Sequence, residues 1–132
     1  MAGAMACPNL PIDPAQPQGP KGVIFSAIRN QGATEKPLDP ASTTTPRKIQ
    51  INAISSAAHA AFCESVESGH SSHREQASVA QKLGITKPSV RMDSQAKYAS
   101  VARGDGDIYL RLPVDQEYQE CVWVRILCFP DM

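Results

Sequence analysis

The sequence carries no surplus of either charge: 13 basic and 13 acidic residues leave a formal net charge of zero over 132 residues. Polyanionic partners are drawn by an excess of Lys and Arg, so neither a nucleic-acid polymer nor a membrane surface is an expected partner. No apolar run approaches the roughly 18 residues of a membrane span. The start "MAGAMACPNLP" lacks the basic and long apolar regions of a secretory signal, which makes a cytoplasmic setting the expectation. There is also no C-x-x-C pair. Cys7, Cys63, Cys121 and Cys128 are scattered, with no histidine at zinc spacing, and read as reduced thiols rather than a disulfide framework. Internal repeats are absent, and at this length the chain suits one modest domain.

What is present divides by composition. Residues 7–21, "CPNLPIDPAQPQGPK", carry five prolines and read as a loop, since proline cannot donate to a ladder. "GVIFSAIRNQGA" has a β-branched and aromatic run followed by turn residues Asn30, Gln31 and Gly32, the pattern of a hairpin. Residues 35–46, "EKPLDPASTTTP", are polar and proline-punctuated, a second loop. "RKIQINAI" alternates at period two as a half-buried strand, while "AAHAAFCESVE" fits strand or helix equally.

The second half is better punctuated. Ser72 with Glu75 three residues on forms a capping box, Ala77, Ala80 and Leu83 follow at helical spacing, and Gly84 suits a C-terminal cap, so a helix is predicted over 73–83. In "RMDSQAKYASVARGDGDIYLRLP", Asp93 or Ser94 can cap a helix that Gly104 ends, and "DIYLRLP" then alternates as a strand. Helices and strands therefore alternate, which is the pattern of an α/β domain.

That same stretch holds the chemistry. A helix start at Ser94 offers backbone N–H groups and the positive end of a dipole, Lys97 lies one turn in, and Arg111 belongs to a neighbouring strand; together they suit an anion. Lys97 and Arg111 as solvated surface charges is the competing reading. Asp105 and Asp107 of "GDGD" fit a turn better than a metal site, and His70 and His73 lack a third zinc ligand.

"CPNLP", "FCESVESGHSSH" and "MDSQAKYASVARGDGDIYLRLP" closely resemble the C-terminal half of fungal 3'(2'),5'-bisphosphate nucleotidases, in the lithium-sensitive, magnesium-dependent phosphatase superfamily of inositol monophosphatase. The resemblance runs over residues 4 to 120. It implies part of a layered α/β/α/β/α sandwich, here one mixed sheet with flanking helices. It implies removal of the 3'-phosphate from adenosine 3',5'-bisphosphate to give AMP, with the sulfated form of that nucleotide as a further substrate. In the resembling sequences the histidine opening "GHSSH", the serine and lysine of "DSQAKY" and the arginine of "YLRLP" contact the nucleotide; they fall on His70, Ser94, Lys97 and Arg111. The expected ligand is thus adenosine 3',5'-bisphosphate or AMP.

The departures are as specific. The family's D-P-[IL]-D-G-T segment, whose carboxylates hold Mg2+, is missing. Tyr118, Gln119, Glu120 and Trp123 are kept, but Val124 stands where the family's metal-binding aspartate belongs. Residues 1–121 are accordingly expected to be the nucleotidase-like part and 122–132 a tail outside it, as a truncated product or gene model would have. The resemblance therefore implies an Mg2+ cofactor whose ligands this chain lacks, and a phosphatase inactive on its own. The alternative is a catalytically silent nucleotide-binding or interaction module.

Overall fold

The computed structural model describes residues 1–66, 73–92 and 95–110. Its first half is an antiparallel meander of β1 (Ala2–Pro11), β2 (Lys21–Ile28), β3 (Gly32–Pro37) and β4 (Arg47–Ile49), ordered in the sheet as in the chain. The predicted hairpin is β2–β3, turning through Asn30 at φ 66°. Period-two alternation puts Met5 opposite Phe25, Cys7 opposite Val23 and Glu35 opposite both Phe25 and Arg47. One face of the sheet therefore holds Cys7, Leu10, Val23 and Phe25 in a core closed by Ala99.

The two proline-rich loops are shorter than expected. Residues 7–11 continue β1 and residues 35–37 belong to β3. Proline is tolerated on β1 because it is an edge strand, whose outward N–H groups have no ladder partner to lose. Pro8 falls in the register irregularity between Cys7 and Pro11. The strand read in "RKIQINAI" is real but ends at Ile49.

The second half is a β-α-β-α-β unit: β5 (Phe62–Glu64), α1 (His73–Leu83), β6 (Val90–Arg91), α2 (Ala96–Arg103) and β7 (Ile108–Tyr109). Its three strands are parallel in the order β6-β5-β7. The α/β architecture is thus present, but its strands sort into one antiparallel and one parallel sheet where a single mixed sheet was expected. The segment that fitted strand or helix is both: a single 3-10 turn over Ala57–His59, then β5. Burial decides the strand, since Ala60 to Ser65 are all at most 7% exposed at the centre of the parallel sheet.

Helix α1 has the predicted bounds, and both glycine caps are found. Gly84 (φ 69°) and Gly104 (φ 85°) take the left-handed conformation, and the next amides, Ile85 N–H and Asp105 N–H, reach back to the carbonyls of Ala80 and Ser100 at 2.9 Å. Two details differ. The buried residue of α1 is Gln76, whereas Ala77 is exposed and Leu83 is 42% exposed. The N-cap position of α2 is Gln95, which makes no side-chain capping bond, while Asp93, Ser94 and Ser72 lie outside the described residues.

Helix α2 ties the sheets together. Ala99 packs into the antiparallel core, and Tyr98 meets Tyr109 of β7 edge-to-face at 5.2 Å. At its last turn Arg103, 2% exposed, donates to both oxygens of Asp105 and to the Pro11 carbonyl at 2.9 Å. It stands 3.6 Å from Glu35, which also takes Arg47. This buried ion cluster, lying over the Phe25 ring, was not foreseen from the sequence.

Candidate nucleotide site

In a parallel sheet ligands collect at the carboxyl ends of the strands, where the connections lead into helix N-termini. Here that edge is formed by Ser65 after β5, Met92 after β6 and Leu110 after β7. Met92 N–H continues the ladder to the Glu64 carbonyl at 3.0 Å, and Gln76 of α1 donates to the Leu110 carbonyl at 2.7 Å.

Lys97 is brought to this edge. It sits on the first turn of α2 and is only 3% exposed. Its ammonium donates to Ser65 Oγ at 3.0 Å, approaches the Met92 carbonyl at 3.5 Å and lies 5.3 Å from the centre of the Tyr109 ring. The reading of Lys97 as a solvated surface charge is therefore wrong. An ammonium desolvated this far is held by oriented dipoles and an aromatic face. The sequence offered no sign of Ser65 or Tyr109 as its neighbours, because both are ordinary strand-end residues in a one-dimensional reading.

His70 belongs to the connection from β5 to α1, Ser94 to the connection from β6 to α2, and Arg111 follows β7 by two residues. All three connections leave the same edge. The three residues themselves lie outside the described ones.

The acids of "GDGD" serve the fold. Asp105 carries the Arg103 guanidinium. Asp107 accepts from Asn52 Nδ2 at 2.9 Å and from the Ala61 amide at 2.7 Å, fastening the chain after β4 to the start of β5. Glu64 faces Arg91 at 3.4 Å. Among the described residues no three His, Cys, Asp or Glu side chains come together as metal ligands. The described carboxylates of this region do not fit a magnesium site, which needs several hard oxygens free to converge.

Burial and the nearby carboxylates of Asp105 and Asp107 push the Cys63 thiol up to about 11, although Lys97 opposes them. Burial raises the Cys7 thiol too, against Arg103. Both are free and buried, so they are poor nucleophiles and belong to the core. Among the described residues no helix is long and apolar enough to cross a membrane.

Comparison with known proteins agrees with this topology. Residues 1–123 match the inositol monophosphatase family. A 3'(2'),5'-bisphosphate nucleotidase of Emericella nidulans is 50% identical over 132 residues, covering 92% of this chain and 38% of the relative. One from Schizosaccharomyces pombe is 46% identical over 93% of this chain and 35% of its own length. The 3'(2'),5'-bisphosphate nucleotidase 1 of Arabidopsis thaliana is 40% identical over 94% of this chain and 36% of its own. The chain thus spans little more than a third of the length of the curated relatives it matches.

Proposed function

The chain belongs to the inositol monophosphatase family, and from that premise we propose that it carries the nucleotide-holding part of a 3'(2'),5'-bisphosphate nucleotidase. The complete enzyme would cleave the 3'-phosphate ester of adenosine 3',5'-bisphosphate with water, yielding AMP and inorganic phosphate. The observation that carries the reading is the Lys97 ammonium, buried at the carboxyl edge on Ser65, Met92 and Tyr109. The connections bearing His70, Ser94 and Arg111 leave that edge and support the same assignment. Lys97 and Arg111 would take phosphate oxygens, and Ser94 would receive them at the start of α2. A cytoplasmic setting suits the two free, buried thiols.

The family is generally magnesium-dependent. Bound magnesium supplies a hydroxide near neutral pH and neutralises the phosphate, but Asp105, Asp107 and Glu64 are committed to Arg103, Asn52, Ala61 and Arg91. On this reading the chain taken alone holds the nucleotide and leaves the metal-dependent chemistry to the rest of the enzyme. Calorimetric titration with AMP tests this. Lys97→Met and Arg111→Ala should each weaken binding about 10- to 100-fold, the worth of a charge-assisted phosphate contact. Heats equal to those of the unmutated chain in both variants would remove the assignment.

A further inference from the structure

Two buried polar atoms at the carboxyl edge have no hydrogen-bond partner among the described residues: Nε2 of His73 and Oε1 of Gln95. Native folds pair such atoms almost without exception, because leaving one dry and unbonded weakens the fold. Two of them at one edge call for an explanation. Both belong to the residues that open the helices leaving this edge, His73 as the first residue of α1 and Gln95 at the N-cap position of α2. His73 lies three residues before Gln76 and so shares the face of α1 whose amide reaches the Leu110 carbonyl beyond β7. Gln95 lies two residues before Lys97. Capping does not explain Gln95, whose side chain makes no capping bond.

Their chemistry differs from that of Lys97. A carboxamide oxygen repels phosphate oxygens and is complemented only by an O–H or N–H donor. An imidazole nitrogen carrying no proton takes the same partner. These are the groups of a sugar and a base.

We propose that Gln95 and His73 form the nucleoside-facing part of this site, Gln95 Oε1 accepting from a hydroxyl or amino group of the sugar or base and His73 Nε2 making the second neutral contact. The proposal rests on the nucleotide reading above and divides the edge in two. Lys97 serves the phosphate, and the two helix-opening residues serve the nucleoside. A site built this way discriminates a nucleotide from free phosphate through groups that are poorly satisfied until the nucleoside arrives.

The test titrates the full 132-residue chain separately with AMP and with inorganic phosphate, and follows thermal unfolding of each variant. Gln95→Met and His73→Phe keep the side-chain volume and delete the orphaned atom. Each should weaken AMP about three- to tenfold, leave phosphate affinity unchanged, and leave the unfolding temperature equal or higher, since an unsatisfied buried atom has been removed. Lys97→Met should weaken both ligands. If Lys97→Met is impaired while AMP affinity in the other two variants is intact, this inference falls and the nucleotide reading stands. A loss of AMP affinity that tracks a lowered unfolding temperature would also overturn it, by showing that the two side chains support the fold. Unchanged binding of both ligands by Lys97→Met removes the nucleotide reading itself.

Discussion

Replacing Arg103 with methionine isolates the energetic role of the buried ion cluster. The guanidinium is 2% exposed and holds Asp105 through Nε at 3.0 and 2.9 Å and Nη2 at 2.5 Å. It also donates to the Pro11 carbonyl and stands 3.6 Å from Glu35. Methionine keeps the aliphatic stem over Phe25 but leaves the Asp105 side chain, 10% exposed, with its charge uncompensated, and leaves Glu35, 6% exposed, with Arg47 alone. Removing one partner of a buried pair costs about 3–5 kcal/mol, against a total of about 5–15 kcal/mol for an ordinary domain. With a urea slope of roughly 1–3 kcal/mol per molar, the unfolding midpoint followed by far-ultraviolet circular dichroism should drop by about 2 M. Adding Asp105→Asn should recover part of the loss, because the orphaned charge is gone while the side-chain shape remains. A loss below about 1 kcal/mol, the range of solvated surface pairs, would refute the claim that this cluster is desolvated and joins α2 to the antiparallel sheet.

Three other outcomes follow from particular contacts. A Cβ added at Gly106 would fall on Cys63 Sγ, with the Ala61 carbonyl at 3.6 Å, so Gly106→Ala should lower stability by about 1–3 kcal/mol, and Cys63→Ala introduced alongside it should restore most of that, as read by urea titration. The Cys63 thiol, pushed from 9.0 to about 11, keeps a proton in the folded chain that the unfolded chain releases earlier. Its contribution is therefore full below pH 9 and lost as pH rises towards 11; the unfolding midpoint should fall between pH 8 and pH 10.5 more steeply than in Cys63→Ala, and equal slopes would contradict the burial argument. Finally, the purified chain should release no phosphate from adenosine 3',5'-bisphosphate with magnesium present, and Val124→Asp alone should not change that. Magnesium-dependent turnover that chelator abolishes and lithium inhibits would show that the ligand set is complete after all.

Local features were legible because they are written in neighbouring residues. The bounds of α1, the glycine caps at Gly84 and Gly104 and the β2–β3 turn at Asn30 each rest on the intrinsic conformational preference of one or two residues. The segments misread were those where tertiary context overrides composition. Pro8 and Pro11 suggested a loop, yet they sit on an edge strand that spares their missing donors. In α1 the apolar spacing of Ala77 and Leu83 suggested the buried face, yet that face carries Gln76, which has a carbonyl to satisfy at the end of β7.

The family resemblance was likewise a property of the sequence: the motifs around Lys97 stand in a short run and need no fold to be recognised. By itself the sequence determined the helices, their C-terminal glycine caps and the hairpin, because these depend on backbone preferences and on residue identity at short range. Only the tertiary structure decided that the strands form two sheets, that Lys97 is buried against Ser65, 32 residues away, and that Arg103 reaches the Pro11 carbonyl across 92 residues. The reason is physical. Which distant residues meet is set by the register of strands and the packing of α2 between the two sheets, and those follow from burying one shared surface rather than from the preference of any single residue.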